Sequence, residues 1–351
     1  MSLHCTASNI SRPARIAGSA LLLIGLSFSA ACADEGGDSA ITQSDVEDVM
    51  ALETGADLAF QANEEPVTEE PSTPAPTGGG GNACCAPTDP DCICRAEAPT
   101  KTSRNGTYKI ATYTIARSSA HGGGTVYYPA DAESAFSGAV YCPPLTGVQA
   151  MYRAWGPFLA SHGIALVTMD TRSTSDSVQS RGTQLLAMVN QFRGEATRAG
   201  SPINGKLNAK RIGTMGWSMG GGATWIAGAK DPALKSSISM AGHNMTGGGA
   251  GNSRGTKVPS LQLAGQTDTT ILGGMGQSQG VYGIIPNETP KTLLVIRGVG
   301  HMSWGGPTAA TAVGGEMTLA FQKTYLDGDT RWKSLIAKPA TASEWKSNID
   351  P

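Results

Sequence analysis

After about residue 100, the chain alternates between short apolar runs and longer stretches with helical spacing. Residues 108–117 alternate polar and apolar side chains, and residues 122–129 form a glycine turn followed by a second such stretch. Both patterns are typical of strands with one exposed face. Continuous apolar runs, which are typical of strands buried on both faces, lie at residues 138–141, 164–169, 211–215, 236–240, 260–264 and 292–296. These runs predict a central sheet whose middle strands are buried.

Helical spacing separates the predicted strands. Apolar residues recur at this spacing in residues 151–161, 183–198, 219–229 and 316–326. Strands that alternate with helices build a mostly parallel sheet, because each helix returns the chain to the edge where the next strand starts. The sequence therefore predicts one α/β domain over residues 100–351, with a mostly parallel central sheet flanked by helices on both faces.

The first 33 residues have the pattern of an export signal. Arg12 and Arg15 precede a short apolar run, and small residues follow at positions 29–33. Two processing routes fit this pattern. Cleavage after Ala33 would release a secreted, extracellular protein, whereas the order Ser-Ala-Ala-Cys ending at Cys32 resembles the lipidation site of a bacterial lipoprotein. In the second case Cys32 would tether the protein to the outer membrane.

Charge is divided unevenly along the chain. The 351 residues carry 26 basic and 28 acidic side chains, but 14 of the acidic ones lie in residues 16–94, which contain no Lys or Arg. From Arg95 onward the net charge is therefore about +10. An acidic stretch rich in Pro and Gly buries too little apolar surface to fold, so residues 34–99 are predicted to be a largely disordered linker. The basic residues are scattered, and we expect no nucleic-acid binding.

Four cysteines lie close together near the end of this predicted linker, at Cys84, Cys85, Cys92 and Cys94. In an exported protein this spacing favours a small disulfide knot. A metal site is the alternative, but no His lies nearby and an all-cysteine zinc site usually uses two separated C-x-x-C pairs. Cys142 lies in a predicted strand and is expected to be a buried free thiol, with pairing to the linker cysteines as the alternative.

The motif Gly-Trp-Ser-Met-Gly at residues 216–220 indicates a nucleophile. In a chain with 46 glycines, G-x-S-x-G alone is a weak signal. Here, however, a predicted strand precedes the motif and a predicted helix follows it. A serine on such a tight turn has its hydroxyl exposed at the helix N-terminus, and the glycines accommodate the close approach of neighbouring backbone. We therefore predict that Ser218 is a catalytic nucleophile.

A serine hydroxyl needs a base to remove its proton, and only His243 and His301 follow Ser218. His301 lies just beyond a predicted strand, where a loop can reach over the serine. Asp268 follows another predicted strand and precedes His301, so it can orient the imidazole. These positions predict a triad of Ser218, Asp268 and His301. No suitable acid lies between Ser218 and the strand before His243, which is expected to line the cleft instead.

Stabilising an oxyanion requires two backbone N–H donors. One is expected from Met219, the residue after the nucleophile, and the other from Leu145, in the loop after the predicted strand at residues 138–141. This chemistry needs no cofactor and no metal, and the domain sequence shows no tight acidic cluster.

Longer stretches around these residues resemble bacterial cutinases and polyester (PET-type) hydrolases of the α/β-hydrolase superfamily. The matching stretches are residues 122–129, 155–163, 169–174, 215–222 and 327–331, which follow the family order. The resemblance implies an α/β-hydrolase fold and a serine esterase. It places Ser218, Asp268 and His301 at the triad positions and Leu145 and Met219 at the oxyanion positions. It also places Trp217 and His243 along a shallow substrate cleft.

The chain departs from the family pattern near this cleft. Leu145 stands where the family usually has an aromatic residue, and His243 stands where Trp is common. Both changes weaken stacking on a terephthalate ring. The family's C-terminal disulfide is absent, because no cysteine follows Cys142. The glycine-rich run at residues 247–251 is expected to form a mobile loop beside the cleft.

These observations predict an exported, monomeric serine esterase that hydrolyses ester polymers, such as cutin-like or aliphatic polyesters, through an acyl-enzyme. Activity on PET is left open by the two lost aromatic positions. One alternative is a lipase or short-chain esterase with little activity on polymers. A second is a surface-binding lipoprotein that kept the fold and lost catalysis. A third is a peptidase on the same fold, against which the lack of an evident lid insertion argues.

Overall fold

The computed structural model describes residues 84–86, 88–244, 253–268, 274–307 and 311–350. The predicted export signal with Cys32, residues 34–83 of the predicted linker and the glycine-rich run at residues 247–251 lie outside the described residues. Within the described part, no helix is long and apolar enough to cross a membrane.

The strands of the described residues form one nine-stranded sheet. They are β1 (Ile110–Ile115), β2 (Gly124–Pro129), β3 (Phe136–Cys142), β4 (Ile164–Met169), β5 (Leu207–Trp217), β6 (Ser237–Met240), β7 (Ser260–Gly265), β8 (Lys291–Ile296) and β9 (Ala342–Ser347). Their order in the sheet is β1-β2-β4-β3-β5-β6-β7-β8-β9. Strands β4, β3, β5, β6, β7 and β8 pair in parallel, whereas the pairs β1–β2, β2–β4 and β8–β9 are antiparallel. The predicted mostly parallel sheet is confirmed.

Helices cover both faces of the sheet. They are α1 (Trp155–Ser161), α2 (Val178–Glu195), α3 (Met219–Lys230), α4 (Gly274–Ile284) and α5 (Ala312–Phe321), which continues as a π-helical turn over Gln322–Asp327. Short 3-10 turns lie at Gln149–Met151, His301–Trp304 and Thr330–Leu335. One apolar core joins the sheet to α1 and α5, and another joins it to α2 and α3. This is the α/β-hydrolase fold that the sequence predicted.

Helix α2 begins five residues before its predicted start at residue 183. The Ser177 side chain caps it by accepting a hydrogen bond from the Ser180 amide at 3.2 Å. Gly182 lies in its first turns, and a Cβ there would lie 2.8 Å from the Ile226 side chain on α3. The glycine lets the two helices approach closely, but it weakens the sequence signal for a helix.

The cysteines after residue 83 form the predicted knot. Disulfides join Cys84 to Cys94 and Cys85 to Cys92, while Cys142 is buried and free. The knot packs on the turn that follows α5. The Ile93 amide donates to the Asp327 carbonyl at 2.7 Å, and the Thr330 amide donates to the Cys84 carbonyl at 2.8 Å.

The segment just before the predicted domain boundary at residue 100 also contacts the domain. Arg95 is buried, and its guanidinium donates to the Gly163 carbonyl at 2.7 Å and pairs with the buried Asp327. Glu97 accepts from the Nζ of buried Lys323 at 3.1 Å. These contacts hold in place a segment whose composition alone indicated disorder.

Two acidic residues of the knot pair with two neighbouring cations that differ in burial. Asp89 lies 3.0 Å from Arg211, whose side chain is 3% exposed. Asp91 lies 3.0 Å from Lys210, whose side chain is 71% exposed. Removing the anion from a buried cation leaves an uncompensated charge, whereas an exposed pair contributes little. Of the two ion pairs, that of Asp89 is therefore expected to contribute more to stability than that of Asp91.

This difference gives a test with a matched control. We expect Asp89→Asn to lower the free energy of unfolding by about 1–3 kcal/mol, because the Arg211 guanidinium loses its anionic partner. Asp91→Asn, in the same loop, should cost less than about 0.5 kcal/mol, because Lys210 remains hydrated. Urea unfolding of both variants measures the two values. Equal losses would show that burial of the cation does not decide the effect.

Candidate active site

Ser218 lies on the tight turn between the end of β5 and the start of α3, with φ 54° and ψ −122°. A positive φ is rare for a residue with a Cβ and occurs where the surroundings enforce it. The surroundings are crowded backbone. A Cβ on Gly216 would meet the carbonyl of Gly220, and a Cβ on Gly220 would meet the carbonyl oxygens of Cys142 and Pro143. The two motif glycines therefore permit the turn that exposes the serine.

The structure brings together the three residues of the predicted triad. The Ser218 Oγ lies 2.9 Å from the His301 Nε2, and the His301 Nδ1 lies 2.9 Å from the Asp268 Oδ2. The Asp268 side chain is fully buried, and that of His301 is 9% exposed. With a proton on Nδ1 donated to the carboxylate, Nε2 is left to accept the serine proton. The arrangement can therefore activate the hydroxyl for nucleophilic attack.

Backbone contacts hold the two loops that carry the acid and the base. Asp268 follows β7, and the neighbouring Thr267 donates from its amide at 3.0 Å and from its hydroxyl at 2.8 Å to the Val299 carbonyl. His301 begins the 3-10 turn after β8. The loops after β7 and β8 are therefore bound to each other, which fixes the spacing between acid and base.

Trp217 has a contact that its predicted place along the cleft did not suggest. Its side chain is 2% exposed, and its indole N–H donates to the His301 carbonyl at 2.8 Å. Trp217 thus supports the turn that carries the candidate base. Its contact with substrate, which the family resemblance implies, stays a prediction.

His243 is fully buried behind the nucleophile turn. Its amide donates to the Ser218 carbonyl at 3.1 Å, and its own carbonyl lies where a Cβ on Gly222 would be. Neither ring nitrogen has a hydrogen-bond partner among the described residues. Burial and, secondarily, the nearby His301 lower the pKa of His243 to about 3. The ring is therefore neutral at pH 7, and its predicted role in substrate binding remains a prediction.

The two predicted oxyanion residues pack in one aliphatic cluster. Leu145 and Met219 are buried together with Val178 and Ile226. Met219 is the first residue of α3, so its amide has no acceptor within the helix. Among the described residues, the Leu145 amide donates to no backbone carbonyl. Both amides are therefore available for an anion.

A buried arginine, which the sequence reasoning missed, holds the loop that carries Leu145. Arg181 on α2 is fully buried. Its guanidinium donates to the carbonyls of Pro143 at 3.1 Å and Thr174 at 2.5 Å. The Thr174 carbonyl also accepts from the Thr146 amide at 2.9 Å. Arg181 lies two residues before the predicted start of this helix at residue 183, so the predicted pattern did not include it.

In the described part of the chain, no group of three or more His, Cys, Asp or Glu side chains is placed to hold a metal ion. The hydrogen-bonded Ser218, His301 and Asp268 have the residue types and the order of contacts that acyl transfer through a serine uses.

The low pKa of His243 makes a prediction about acid stability. The unfolded chain binds a proton on this ring below about pH 6.5, whereas the folded chain does not until about pH 3. Protonation of His243 in the unfolded chain should therefore lower the free energy of unfolding by about 2–3 kcal/mol as pH falls from 7 to 4.5. His243→Phe should lose less stability than the parent over this range, as measured by urea unfolding at both pH values. If the difference in free energy of unfolding between the parent and His243→Phe were the same at both pH values, the low pKa of His243 would be contradicted.

Comparisons with known proteins agree with the geometry. The model of the PET hydrolase-like family matches residues 88–350, which begins inside the predicted linker. Bis(hydroxyethyl) terephthalate hydrolase from Streptomyces coelicolor is 29% identical over 282 residues, which cover 78% of this chain and 85% of that protein. Cutinase 1 of Thermobifida cellulosilytica is 29% identical and covers 66% of this chain and 85% of its own length. Cutinase est2 of Thermobifida alba is 30% identical over a match that covers 67% of this chain and 75% of that protein. The chain therefore belongs to the PET hydrolase-like family and is a carboxylic ester hydrolase with the α/β-hydrolase fold.

Proposed function

We propose that the chain is an exported serine esterase that cleaves the ester bonds of polyesters through an acyl-enzyme. Ser218 is the nucleophile, His301 the general base and Asp268 the acid that orients it. The observation that carries this proposal is the chain of two 2.9 Å hydrogen bonds from Ser218 through His301 to the buried Asp268 carboxylate.

In the acylation step, the Ser218 Oγ attacks the ester carbonyl carbon while its proton passes to the His301 Nε2. Asp268 stabilises the imidazolium that forms. The carbonyl oxygen becomes an oxyanion, which the amides of Leu145 and Met219 stabilise in this proposal. When the tetrahedral intermediate collapses, His301 gives its proton to the departing alkoxide and the alcohol leaves. The acyl group remains on Ser218.

In the deacylation step, a water molecule takes the place of the alcohol. His301 accepts a proton from the water as its oxygen attacks the acyl carbon. Collapse of the second tetrahedral intermediate breaks the bond to Ser218 Oγ, which takes back the proton from His301. The balance is one ester and one water converted to one acid and one alcohol, without any redox change.

The polyester substrate is inferred from the family and from the names of its relatives, which act on terephthalate esters or are cutinases. A second candidate function is a lipase or short-chain esterase with little polymer activity. The aliphatic Leu145 and the fully buried His243 favour it, because neither offers an exposed aromatic face to a terephthalate ring.

Export is supported by the sequence of the first 33 residues and by the two disulfides, which form and persist in oxidising compartments. The protein is either released after Ala33 or tethered through a lipidated Cys32. In both cases the esterase domain works outside the cytoplasm, where polymers too large to be taken up are found.

Ser218→Ala tests the nucleophile. We expect kcat on a p-nitrophenyl ester to fall by about 10³-fold or more, because the attacking oxygen is removed. Asp268→Asn should lower kcat by about 10²–10⁴-fold, because the imidazole loses its orientation and its counter-charge. Circular dichroism shows whether each variant is folded. Near-parental turnover by folded Ser218→Ala would rule out the proposed mechanism.

Arg181→Lys tests whether the buried guanidinium positions the oxyanion loop. A lysine keeps the charge but cannot hold two carbonyls in a planar fork. We expect kcat per active site to fall about tenfold with KM within about twofold, because the loss falls on the transition state. Active-site titration separates this effect from partial unfolding. A reduced titre with parental kcat per titrated site would assign Arg181 a purely structural role.

Product release from amorphous PET film, with Ser218→Ala as the blank, separates the two candidate substrates. Soluble aromatic acids above the blank would place the enzyme among PET-active polyester hydrolases. Hydrolysis of a short p-nitrophenyl ester without release from the film would instead support an esterase for which the altered cleft excludes aromatic polyesters.

A further inference from the structure

Two of the most exposed large apolar side chains lie on the segment that follows the candidate oxyanion residue Leu145. In the described part of the chain, the large apolar residues that are more than about a third exposed are Ile110 at 38%, Val148 at 43% and Met151 at 39%. Ile110 lies on the edge strand β1. Val148 and Met151 lie three and six residues after Leu145, the candidate oxyanion residue. Single exposed apolar residues are common, but two adjacent ones beside a site suggest a contact surface.

A single turn presents these two side chains together. The Met151 amide donates to the Val148 carbonyl at 2.9 Å, at the 3-10 turn Gln149–Met151. Gln149 fixes the turn through two hydrogen bonds. Its amide and its side-chain Nε2 donate to the two carboxylate oxygens of Asp170, at 2.9 Å and 2.7 Å. Because Gln149 bonds inward, Val148 and Met151 are held outward on a fixed backbone.

The same turn contacts the segment that carries the candidate base. Gly305 directly follows the His301–Trp304 turn, and a Cβ there would lie 2.6 Å from the Met151 carbonyl oxygen. The Trp155 indole N–H, just after the Met151 turn, donates to the Trp304 carbonyl at 2.9 Å. Val148 and Met151 therefore lie on a segment that follows the candidate oxyanion loop in the chain and contacts the end of the turn that carries His301.

We propose that Val148 and Met151 form an aliphatic rim that binds the methylene segments of an aliphatic polyester whose ester group lies at Ser218. This proposal deepens the proposed ester hydrolysis and rests on it. Apolar side chains held beside the reacting group lose exposed area when a methylene chain covers them, which favours binding. The thioether of Met151 is flexible and adapts to an irregular chain.

The surroundings favour an aliphatic chain over an aromatic one. No aromatic side chain in the described residues is as exposed as the two rim residues. The candidate oxyanion residues Leu145 and Met219 pack in an aliphatic cluster with Val178 and Ile226. Among the described residues, a terephthalate ring would therefore find no aromatic partner as exposed as the rim, whereas a methylene chain needs only apolar area.

The test uses the full chain with the double substitution Val148→Ser and Met151→Ser. The control is Ile110→Ser, which removes a similarly exposed apolar side chain from the edge of the sheet. Each protein is assayed on a polycaprolactone dispersion, which is an aliphatic polyester, and on soluble p-nitrophenyl acetate. Binding to phosphatidylcholine vesicles is measured by co-sedimentation.

We expect the ratio of the polycaprolactone rate to kcat/KM for p-nitrophenyl acetate to fall at least about fivefold in the double variant. Ile110→Ser should keep the parental ratio. An unchanged ratio in the double variant, or the same fall with Ile110→Ser, would overturn the proposal. Loss of vesicle binding by the double variant with an unchanged rate on polycaprolactone would also overturn the proposal, because it would show that the rim binds a lipid surface. A parent inactive on both esters would instead refute the proposed function itself.

Discussion

The close approach of backbones at the nucleophile turn is the constraint on which the rest of the site depends. Helix α3 starts so near the ends of β3 and β6 that Gly220 lies against the carbonyls of Cys142 and Pro143, and Gly222 lies against that of His243. This crowding holds Ser218 at its positive φ. It also brings the start of α3 against the loop after β3, the two segments that carry the candidate oxyanion residues Met219 and Leu145.

The remaining parts of the site depend on how neighbouring loops are bound to one another. Arg181 holds the loops after β3 and β4, and Thr267 joins the loops after β7 and β8. The disulfide knot is held in a different way. Its Asp89 carboxylate pairs with the buried guanidinium of Arg211 on the domain. Within the described residues, Asp89 and Asp91 at the end of the acidic stretch therefore pair with cations of the basic domain, a connection that the sequence alone does not show.

The sequence predicted those features that depend on local pattern. β4 was predicted with its observed bounds because residues 164–169 are a continuous apolar run. The sequence also predicted a triad of Ser218, Asp268 and His301, because each of these residues follows a predicted strand. Helix α4 was missed because four glycines dilute its pattern, although Val281 packs it against Trp225. Arg181, the Asp89–Arg211 pair and the exposure of Val148 depend on contacts between distant segments, which no local pattern encodes.

Trapping of the proposed acyl group on Ser218 distinguishes covalent catalysis from direct attack of water on the ester. The enzyme is mixed with p-nitrophenyl acetate, quenched in acid within the first turnovers and digested for peptide mass mapping. We expect an acetyl group on the peptide that contains Ser218, formed before acetate is released. Undiminished turnover with no adduct on that peptide and no initial burst of p-nitrophenol would show that no acyl group forms on Ser218.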